Sequence, residues 1–105
     1  MKRFRVVIPP VVEEQILGQL VYIARDSIDN ALAWEERLRA ALKKMGGIPR
    51  AYPLDAVVSE RLGISVRKMV FEGTYLIFYY VNEPVRTVEI INFRHGVRLP
   101  RPDEA

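Results

Sequence analysis

Most of the side chains suited to chemistry lie in the last third of the chain. They are a lone histidine, His95, its neighbours Arg94, Arg98 and Arg101, and the more distant Arg67. A histidine with an ordinary pKa of about 6.5 can act as a general acid or base at neutral pH. Guanidinium groups bind phosphates and carboxylates. The set is therefore compatible with chemistry on a nucleic acid or with capture of an acidic partner segment.

Each of these residues also has a structural interpretation. His95 could end the last strand and hydrogen-bond a loop or a carboxylate, or it could contact a partner protein. The arginines that follow it could be the solvated end of a strand. Arg67 and Lys68 are adjacent, so on a strand they point to opposite sides and cannot act as a pair. A buried Arg67 bonded to Glu72 or Glu89 is an alternative to a binding role.

Composition narrows the chemistry further. The chain has no cysteine and one histidine, which excludes a disulfide, a thiolate zinc site and a cysteine nucleophile. No glycine-rich phosphate loop, metal-ligand spacing or nucleophile triad is present, so we expect neither a metal nor a cofactor. The net charge of +3 indicates a polyanionic partner only weakly.

Length and hydropathy predict a single domain over residues 1–105, with about 99–105 as a surface tail. The N-terminal segment is basic and then apolar. Its apolar run is short and is interrupted by Pro9-Pro10, so the segment does not resemble a signal peptide. No run approaches the roughly 18 to 20 apolar residues of a membrane helix. We therefore expect a cytoplasmic protein with no membrane partner, and the lack of cysteine fits a reducing cytosol.

A sheet that positions the candidate residues is predicted from residues 66–98. Three runs rich in valine, isoleucine, phenylalanine and tyrosine are separated by Glu72-Gly73 and by Asn82-Glu83-Pro84. β-branched and aromatic runs broken at short polar turns are typical of an antiparallel meander. Residues 3–8 predict a further strand, which Pro9-Pro10 ends because proline donates no ladder hydrogen bond.

Two helices are predicted between the first strand and the meander. One runs from about Val11 to Arg25 and the other ends near Met45, where Gly46-Gly47 predicts a left-handed stop. The short connection makes them an antiparallel hairpin. One or two helical turns are possible from Asp55 to Leu62. The expected buried stripes are Val12, Ile16, Leu20 and Ile23, widened by Leu17, Val21 and Ala24, and then Ala31, Trp34, Leu38, Ala41 or Leu42, and Met45.

This order of elements predicts an α+β fold. An N-terminal strand, the helix hairpin and a three-stranded antiparallel meander would form one sheet with the helices on one face. We expect the first strand beside the last. Tyr75 and Tyr79 are predicted to fill the core, with their hydroxyls near water.

The sequence closely resembles the RelE/ParE superfamily of toxins from bacterial type II toxin–antitoxin modules, especially the ParE-like, plasmid-stabilisation branch. The resemblance rests on Gly73, Tyr75, Ile77 and Tyr79 in a GxYxIxY-like run, on the RHGVR segment at 94–98, and on the DSIDNALAWEERL of the helix hairpin. It extends from about Arg3 to Arg98. It implies a compact toxin neutralised by an antitoxin whose C-terminal segment wraps its surface.

One branch of that superfamily cleaves ribosome-bound mRNA with cations on the open sheet face. Arg67 can be placed at one of the branch's basic positions. Met69 and Leu76 stand where the branch has further basic residues, which puts ribonuclease activity in doubt. The alternative activity is an endoribonuclease whose catalytic candidates are Arg67, Arg94, His95 and Arg98, with the ribosome and mRNA as partners.

The ParE-like branch instead inhibits growth by binding DNA gyrase. It has no catalytic residues with which positions of this sequence could be compared. The resemblance therefore implies a growth-inhibiting toxin that forms a hetero-oligomer with its cognate antitoxin. An antitoxin helix or strand would place apolar residues between the helix hairpin and the sheet and acidic residues on a basic rim. An inert relative that keeps only antitoxin binding is a third possibility. The expected partner-binding residues are Arg67, Arg94, His95, Arg98 and Arg101.

Overall fold

The fold is described by a computed structural model covering residues 3–96, in which helices and strands follow the predicted order closely. The predicted α+β class is confirmed. The elements are β1 (Arg5–Val7), α1 (Pro10–Ala24), α2 (Ile28–Met45), α3 (Ala56–Leu62), β2 (Arg67–Phe71), β3 (Tyr75–Asn82) and β4 (Thr87–His95).

The four strands form one sheet in the order β1-β4-β3-β2. β2 and β4 each run antiparallel to β3, whereas β1 runs parallel to β4. The first strand therefore lies beside the last, as predicted. The sheet as a whole is mixed and is not a simple meander, because β1 joins it through the helical crossover that parallel neighbours require.

The β2–β3 turn lies where Glu72-Gly73 predicted it. Glu72 has a φ of 51° and Gly73 a φ of 67°, so both adopt the left-handed backbone found in tight hairpin turns. The amide of Thr74 closes the turn by donating to the carbonyl of Phe71 at 3.1 Å. Glu72 also accepts a 2.6 Å hydrogen bond from Arg37, which ties this turn to α2.

The helix hairpin forms because its connection is capped and its two helices are cross-linked. Ser27 ends the connection, and its hydroxyl accepts a 3.1 Å hydrogen bond from the amide of Asn30. Arg39 of α2 donates to Glu13 of α1 at 2.7 Å and to Glu35 at 3.1 Å. These hydrogen bonds raise the pKa of Arg39, with the bond to Glu13 as the largest cause.

The core fills the space between the helix hairpin and one sheet face, which we call the hairpin face. Its residues are fully or almost fully buried: Val12, Ile16, Trp34, Leu38, Leu42, Met45, Met69, Ile77, Tyr79, Val88, Ile90 and Phe93. The predicted core roles of Trp34, Tyr75 and Tyr79 are confirmed. Core side chains fill the space between the hairpin and the middle of the sheet. At the edge of the sheet, the β1 segment and α2 border a cleft of about 360 Å³ lined by Arg3, Phe4, Arg5, Val6, Ile8, Arg39, Leu42 and Lys43.

Part of the predicted α1 stripe is wrong. Leu17 and Val21 are 56% and 52% exposed, although both were expected to widen the buried face. Each lies about 100° around the helix from a residue that does pack inward, such as Ile16. With Ile28 and Leu32 of α2, which are also exposed, they give the outer side of the hairpin an apolar surface.

The end of α2 differs from the predicted left-handed stop. Gly46 has a φ of −62° and a ψ of −25°, so its backbone remains right-handed helical. Its Cα instead lies against the residue that precedes β1: a Cβ there would meet the carbonyl oxygen of Phe4. The glycine is therefore required by a close approach of two backbones. The left-handed stop occurs later, at Gly63 after α3, with a φ of 71°.

The third helix changes the predicted layering. α1 and α2 lie on the hairpin face, but Val58 and Leu62 of α3 line a cleft together with Phe78, whose side chain points to the opposite face. We call that opposite side the open face. Helices are therefore not confined to one face of the sheet. Asp55 caps α3 by accepting from the amide of Val58 at 2.9 Å.

Candidate functional site

Arg94 and His95 point to opposite faces of the sheet. Arg94 of β4 pairs with Leu76 of β3, and its guanidinium lies 5.4 Å from the ring centroid of Phe78 on the open face. His95 pairs with Tyr75 and contacts that ring edge-on at 5.3 Å on the hairpin face. The two adjacent candidates therefore cannot act on one bound group, because the sheet separates their side chains.

His95 is the last residue of β4 and belongs to an aromatic cluster at the end of the core. Tyr75 is at the centre of the cluster, with ring centroids 5.4 Å from Trp34 and 5.6 Å from Phe93. Burial raises the pKa of Tyr75, whose hydroxyl accepts from Gln19 at 3.2 Å. The buried Nδ1 of His95 has no hydrogen-bond partner within residues 3–96. The expected bond to a loop or a carboxylate is therefore not found at this atom.

Arg67 holds a loop in place. Its Nη1 donates to the carbonyl oxygen of Tyr52 at 2.7 Å and to that of Arg50 at 3.4 Å. The expected carboxylate partners are engaged elsewhere, since Glu72 pairs with Arg37 and Glu89 accepts from Thr87. The alternative in which Arg67 bonds to Glu72 or Glu89 is therefore wrong. Arg67 nevertheless has a structural role, because it holds the loop.

The loop that Arg67 holds also packs on Tyr79. The hydroxyl of Tyr79 donates to the carbonyl oxygen of Pro49 at 2.7 Å, and its ring contacts Tyr52 edge-on at 6.5 Å. Burial raises the pKa of Tyr79 to about 12, an effect that the positive charge of Arg67 opposes. The hydroxyl is therefore bonded to backbone, and the prediction that it stays near water is wrong.

Arg67 and His95 lie at opposite ends of the sheet. Arg67 pairs with Tyr79, whereas His95 pairs with Tyr75. Four residues of β3 separate those two registers, which corresponds to roughly 13 Å along the strand. The pair also occupies the two strands that flank β3, so their backbones are further apart still. Arg67 therefore does not share a centre with His95.

The other predicted cations are placed less centrally. Lys68 points to the open face, opposite to Arg67 as expected, and its Nζ lies 3.6 Å from a carboxylate oxygen of Asp55. Arg98 and Arg101 lie outside the described residues. Within residues 3–96, the candidate cations consequently form no common cluster.

A cleft on the open face brings together residues that the sequence did not single out. Its volume is about 310 Å³, and α3 lies along one side of it. The lining residues are Val58, Arg61, Leu62, Phe78, Ile91, Asn92 and Arg94. Only Arg94 was among the predicted site residues. A sequence signal for the rest exists in part: Val58, Arg61 and Leu62 have the three- and four-residue spacing that places them on one side of a helix.

A β-bulge shapes the floor of this cleft. The register between β3 and β4 shifts between Phe78 and Tyr79, so Ile91 has no cross-strand partner. Ile91 consequently lines the cleft. The amide of Phe93 lies beyond the part of β4 that pairs with β1, and it donates to the side chain of Gln15 of α1 at 2.9 Å. Bulges of this kind redirect side chains next to functional sites.

The two arginines of the cleft have no carboxylate partner within residues 3–96. The ion pairs within residues 3–96 join Arg37 to Glu72, Arg39 to Glu13 and Glu35, Arg50 to Glu83, and Lys68 to Asp55. Neither Arg61 nor Arg94 belongs to any of them. Both are exposed, so their charges are available to a bound anion.

Comparison with known proteins does not identify a family. No protein-family model matches the chain, and no curated protein matches it. None of α1, α2 and α3, the helices of residues 3–96, combines the length and the apolarity needed to cross a membrane. Within the same residues, no group of three or more histidine, aspartate or glutamate side chains could hold a metal ion.

Proposed function

We propose that this protein is the toxin of a bacterial type II toxin–antitoxin module. It inhibits growth in the cytoplasm by binding a cellular target, DNA gyrase, and a cognate antitoxin neutralises it by forming a hetero-oligomer with it. The proposal rests on the RelE/ParE resemblance of the sequence. The α+β arrangement, with a helix hairpin against a sheet that β3 and β4 complete, is compatible with that resemblance.

One observation favours binding over cleavage: the dispersal of the candidate catalytic residues. A ribonuclease must bring an acid or base and its phosphate-binding cations to one scissile bond. Here Arg94 and His95 point to opposite faces, and Arg67 is engaged with backbone carbonyls at the far end of the sheet. A protein that acts by occupying its target needs no such convergence.

The same observation suggests different roles for the candidates. Arg94 is a surface residue suited to contact a partner. His95 and Arg67 support the core and the loop of residues 49–52, so they influence partner binding through the fold.

The proposal is tested with purified protein in two parallel assays. We expect inhibition of gyrase supercoiling on relaxed plasmid, with full inhibition when toxin and gyrase are near equimolar, and no cleavage of a ribosome-bound mRNA. Addition of the cognate antitoxin, which we expect the adjoining reading frame to encode, restores supercoiling. Unchanged supercoiling together with mRNA scission would contradict the proposal, provided that His95→Ala abolishes scission while its far-UV circular dichroism stays that of the parent. His95→Gln, which keeps a polar side chain of similar reach, serves as the matched control for folding.

A further inference from the structure

We propose that the open-face cleft binds an extended acidic segment of a partner protein. An apolar side chain of that segment fills the floor between α3 and β4, and carboxylates on either side of it bind Arg61 and Arg94. The site is inferred from the cleft alone. Naming the partner as the antitoxin rests on the proposed function.

The shape and lining of the cleft indicate a side chain as its occupant. A volume of about 310 Å³ is at the lower end of the roughly 300 to 1,000 Å³ that ligand pockets occupy. The floor is apolar, with Phe78 and Ile91 from the sheet and Val58 and Leu62 from α3. Leu62 is 51% exposed, so covering it would remove apolar surface from water.

Charge complementarity sets the sign of the partner. Arg61 is contributed by α3 and Arg94 by β4, so the two guanidinium groups come from opposite walls of the cleft. No carboxylate lines it, and neither arginine has an acidic partner within residues 3–96. Two carboxylates spaced along an extended chain would satisfy both, because charge-assisted hydrogen bonds of this kind are strong and directional.

The lining of the cleft favours an extended peptide. Its floor is apolar, and each of its two walls presents one guanidinium group. An extended chain carries apolar and acidic side chains close together along its length, and therefore supplies partners for both the floor and the arginines.

A single-stranded nucleic acid fits the cleft less well. Sequence-tolerant binding of single strands depends on aromatic faces on which bases stack. The only aromatic residue that lines the cleft is Phe78, which is 5% exposed, and the guanidinium of Arg94 already lies over its ring. Phosphates would satisfy the arginines but would leave the apolar floor of the cleft uncovered.

The test uses a labelled probe peptide, acetyl-Gly-Glu-Leu-Glu-Leu-Glu-Gly-amide. Binding is measured by fluorescence anisotropy, and amide shifts of the full-length protein locate it by NMR. We expect the shifts to cluster at residues 58–62, 76–78 and 91–94, and we expect the glutamine version of the peptide to bind about tenfold more weakly. Shifts confined to the apolar outer side of the helix hairpin would overturn the proposal, as would equal binding of the two peptides or a preference for oligouridine of the same length.

Matched variants distinguish peptide binding in the cleft from non-specific attraction between the acidic peptide and exposed arginines. Arg61→Ala with Arg94→Ala should weaken peptide binding by about tenfold or more. Arg25→Ala is the control, because Arg25 is also exposed and also lies over an aromatic ring, that of Tyr22 at 5.8 Å, but at the end of α1. Equal losses in the two proteins would overturn the proposal. Leu62→Ser should weaken binding and Val57→Ser, on the same helix but outside the cleft, should not.

The two proposals fail in different ways. If the probe binds the cleft while gyrase is unaffected by the protein, the site stands and the toxin assignment fails. In the second case, the parent and the double arginine variant both inhibit gyrase, and the antitoxin encoded by the adjoining reading frame relieves both inhibitions equally. The toxin assignment then stands, and the cleft is not the antitoxin site.

Discussion

The two faces of the sheet are used in opposite ways. On the hairpin face, α1 and α2 cover the strands so completely that Val12, Ile77 and Tyr79 are 0% exposed. On the open face, the seven-residue α3 covers only part of the sheet and leaves a cleft with two unpaired arginines. The difference indicates that one face supplies most of the stability of the domain, which leaves the other available for a partner.

The largest expected effect tests which side of α1 is buried. Ile16→Ala should lower the free energy of unfolding by about 2 to 5 kcal/mol, because it removes a buried side chain and leaves a cavity. Its neighbour provides the control: Leu17→Ala should change stability by no more than about 0.5 kcal/mol, since Leu17 is exposed. Urea denaturation followed by tryptophan fluorescence measures both. Similar losses for the two variants would show that the outer side of α1 is also packed.

The next effect concerns the stability of the protein at alkaline pH, which depends on Tyr79 on the hairpin face. Burial raises the pKa of Tyr79 from 10.0 to about 12. The folded protein therefore keeps this proton while the unfolded chain loses it. Stability contributed by the neutral hydroxyl is fully present below pH 10 and falls as the pH rises towards 12. At about 1.4 kcal/mol for each pKa unit, the loss from this group is on the order of 2 to 3 kcal/mol.

Tyr79→Phe isolates that contribution. Near neutral pH the variant should be less stable than the parent by about 1 kcal/mol, because the hydrogen bond to the carbonyl of Pro49 is lost. Above pH 10 the difference should shrink and then reverse, because phenylalanine has no proton to lose. Urea titrations of both proteins at several pH values measure this difference. A gap that stays constant up to pH 12 would indicate that Tyr79 titrates normally.

Two glycines on the hairpin side should respond with opposite signs. Gly46→Ala should destabilise by roughly 1 to 3 kcal/mol, because the new Cβ would meet the carbonyl oxygen of Phe4. Gly18 lies inside α1 and nothing approaches the Cβ position within 4 Å. Gly18→Ala should therefore stabilise by up to about 1 kcal/mol through helix propensity. Thermal melts followed by circular dichroism compare the two, and a stabilising Gly46→Ala would disprove the close approach of α2 and β1.

The smallest effect on stability is expected on the open face. Arg94→Ala removes only an exposed cation–π contact with Phe78, so it should cost about 0.5 to 1 kcal/mol at most. Differential scanning calorimetry of this variant beside Arg25→Ala measures the cost. A loss comparable to that of Ile16→Ala would mean that the open face contributes as much to folding as the hairpin face does.

The elements themselves were largely predictable from sequence because their signals are local. The capping candidates Asp26 and Ser27 predict a helix start, Glu72-Gly73 predicts a turn, and the spacing of Ala31, Trp34 and Leu38 predicts one buried side of a helix. α1 was harder to interpret, because it is apolar around most of its circumference and only packing decides that Ile16 is inside and Leu17 outside.

The candidate site was less predictable, because it depends on register. Residues adjacent in sequence, such as Arg94 and His95, are separated by the sheet. Residues 33 positions apart, Arg61 and Arg94, meet at one cleft. The bulge that turns Ile91 towards that cleft has no sequence signature of its own. The role of Gly46 depends in the same way on a backbone more than forty residues earlier in the chain.

A gyrase supercoiling assay tests most directly whether the protein works by binding. The purified chain is titrated against gyrase with relaxed plasmid as substrate, and RNA integrity is followed in a parallel reaction. We expect supercoiling to fall in proportion to the protein added and to stop near equimolar protein, with the RNA intact. Supercoiling that continues at full rate while RNA is cut in a His95-dependent manner would contradict it.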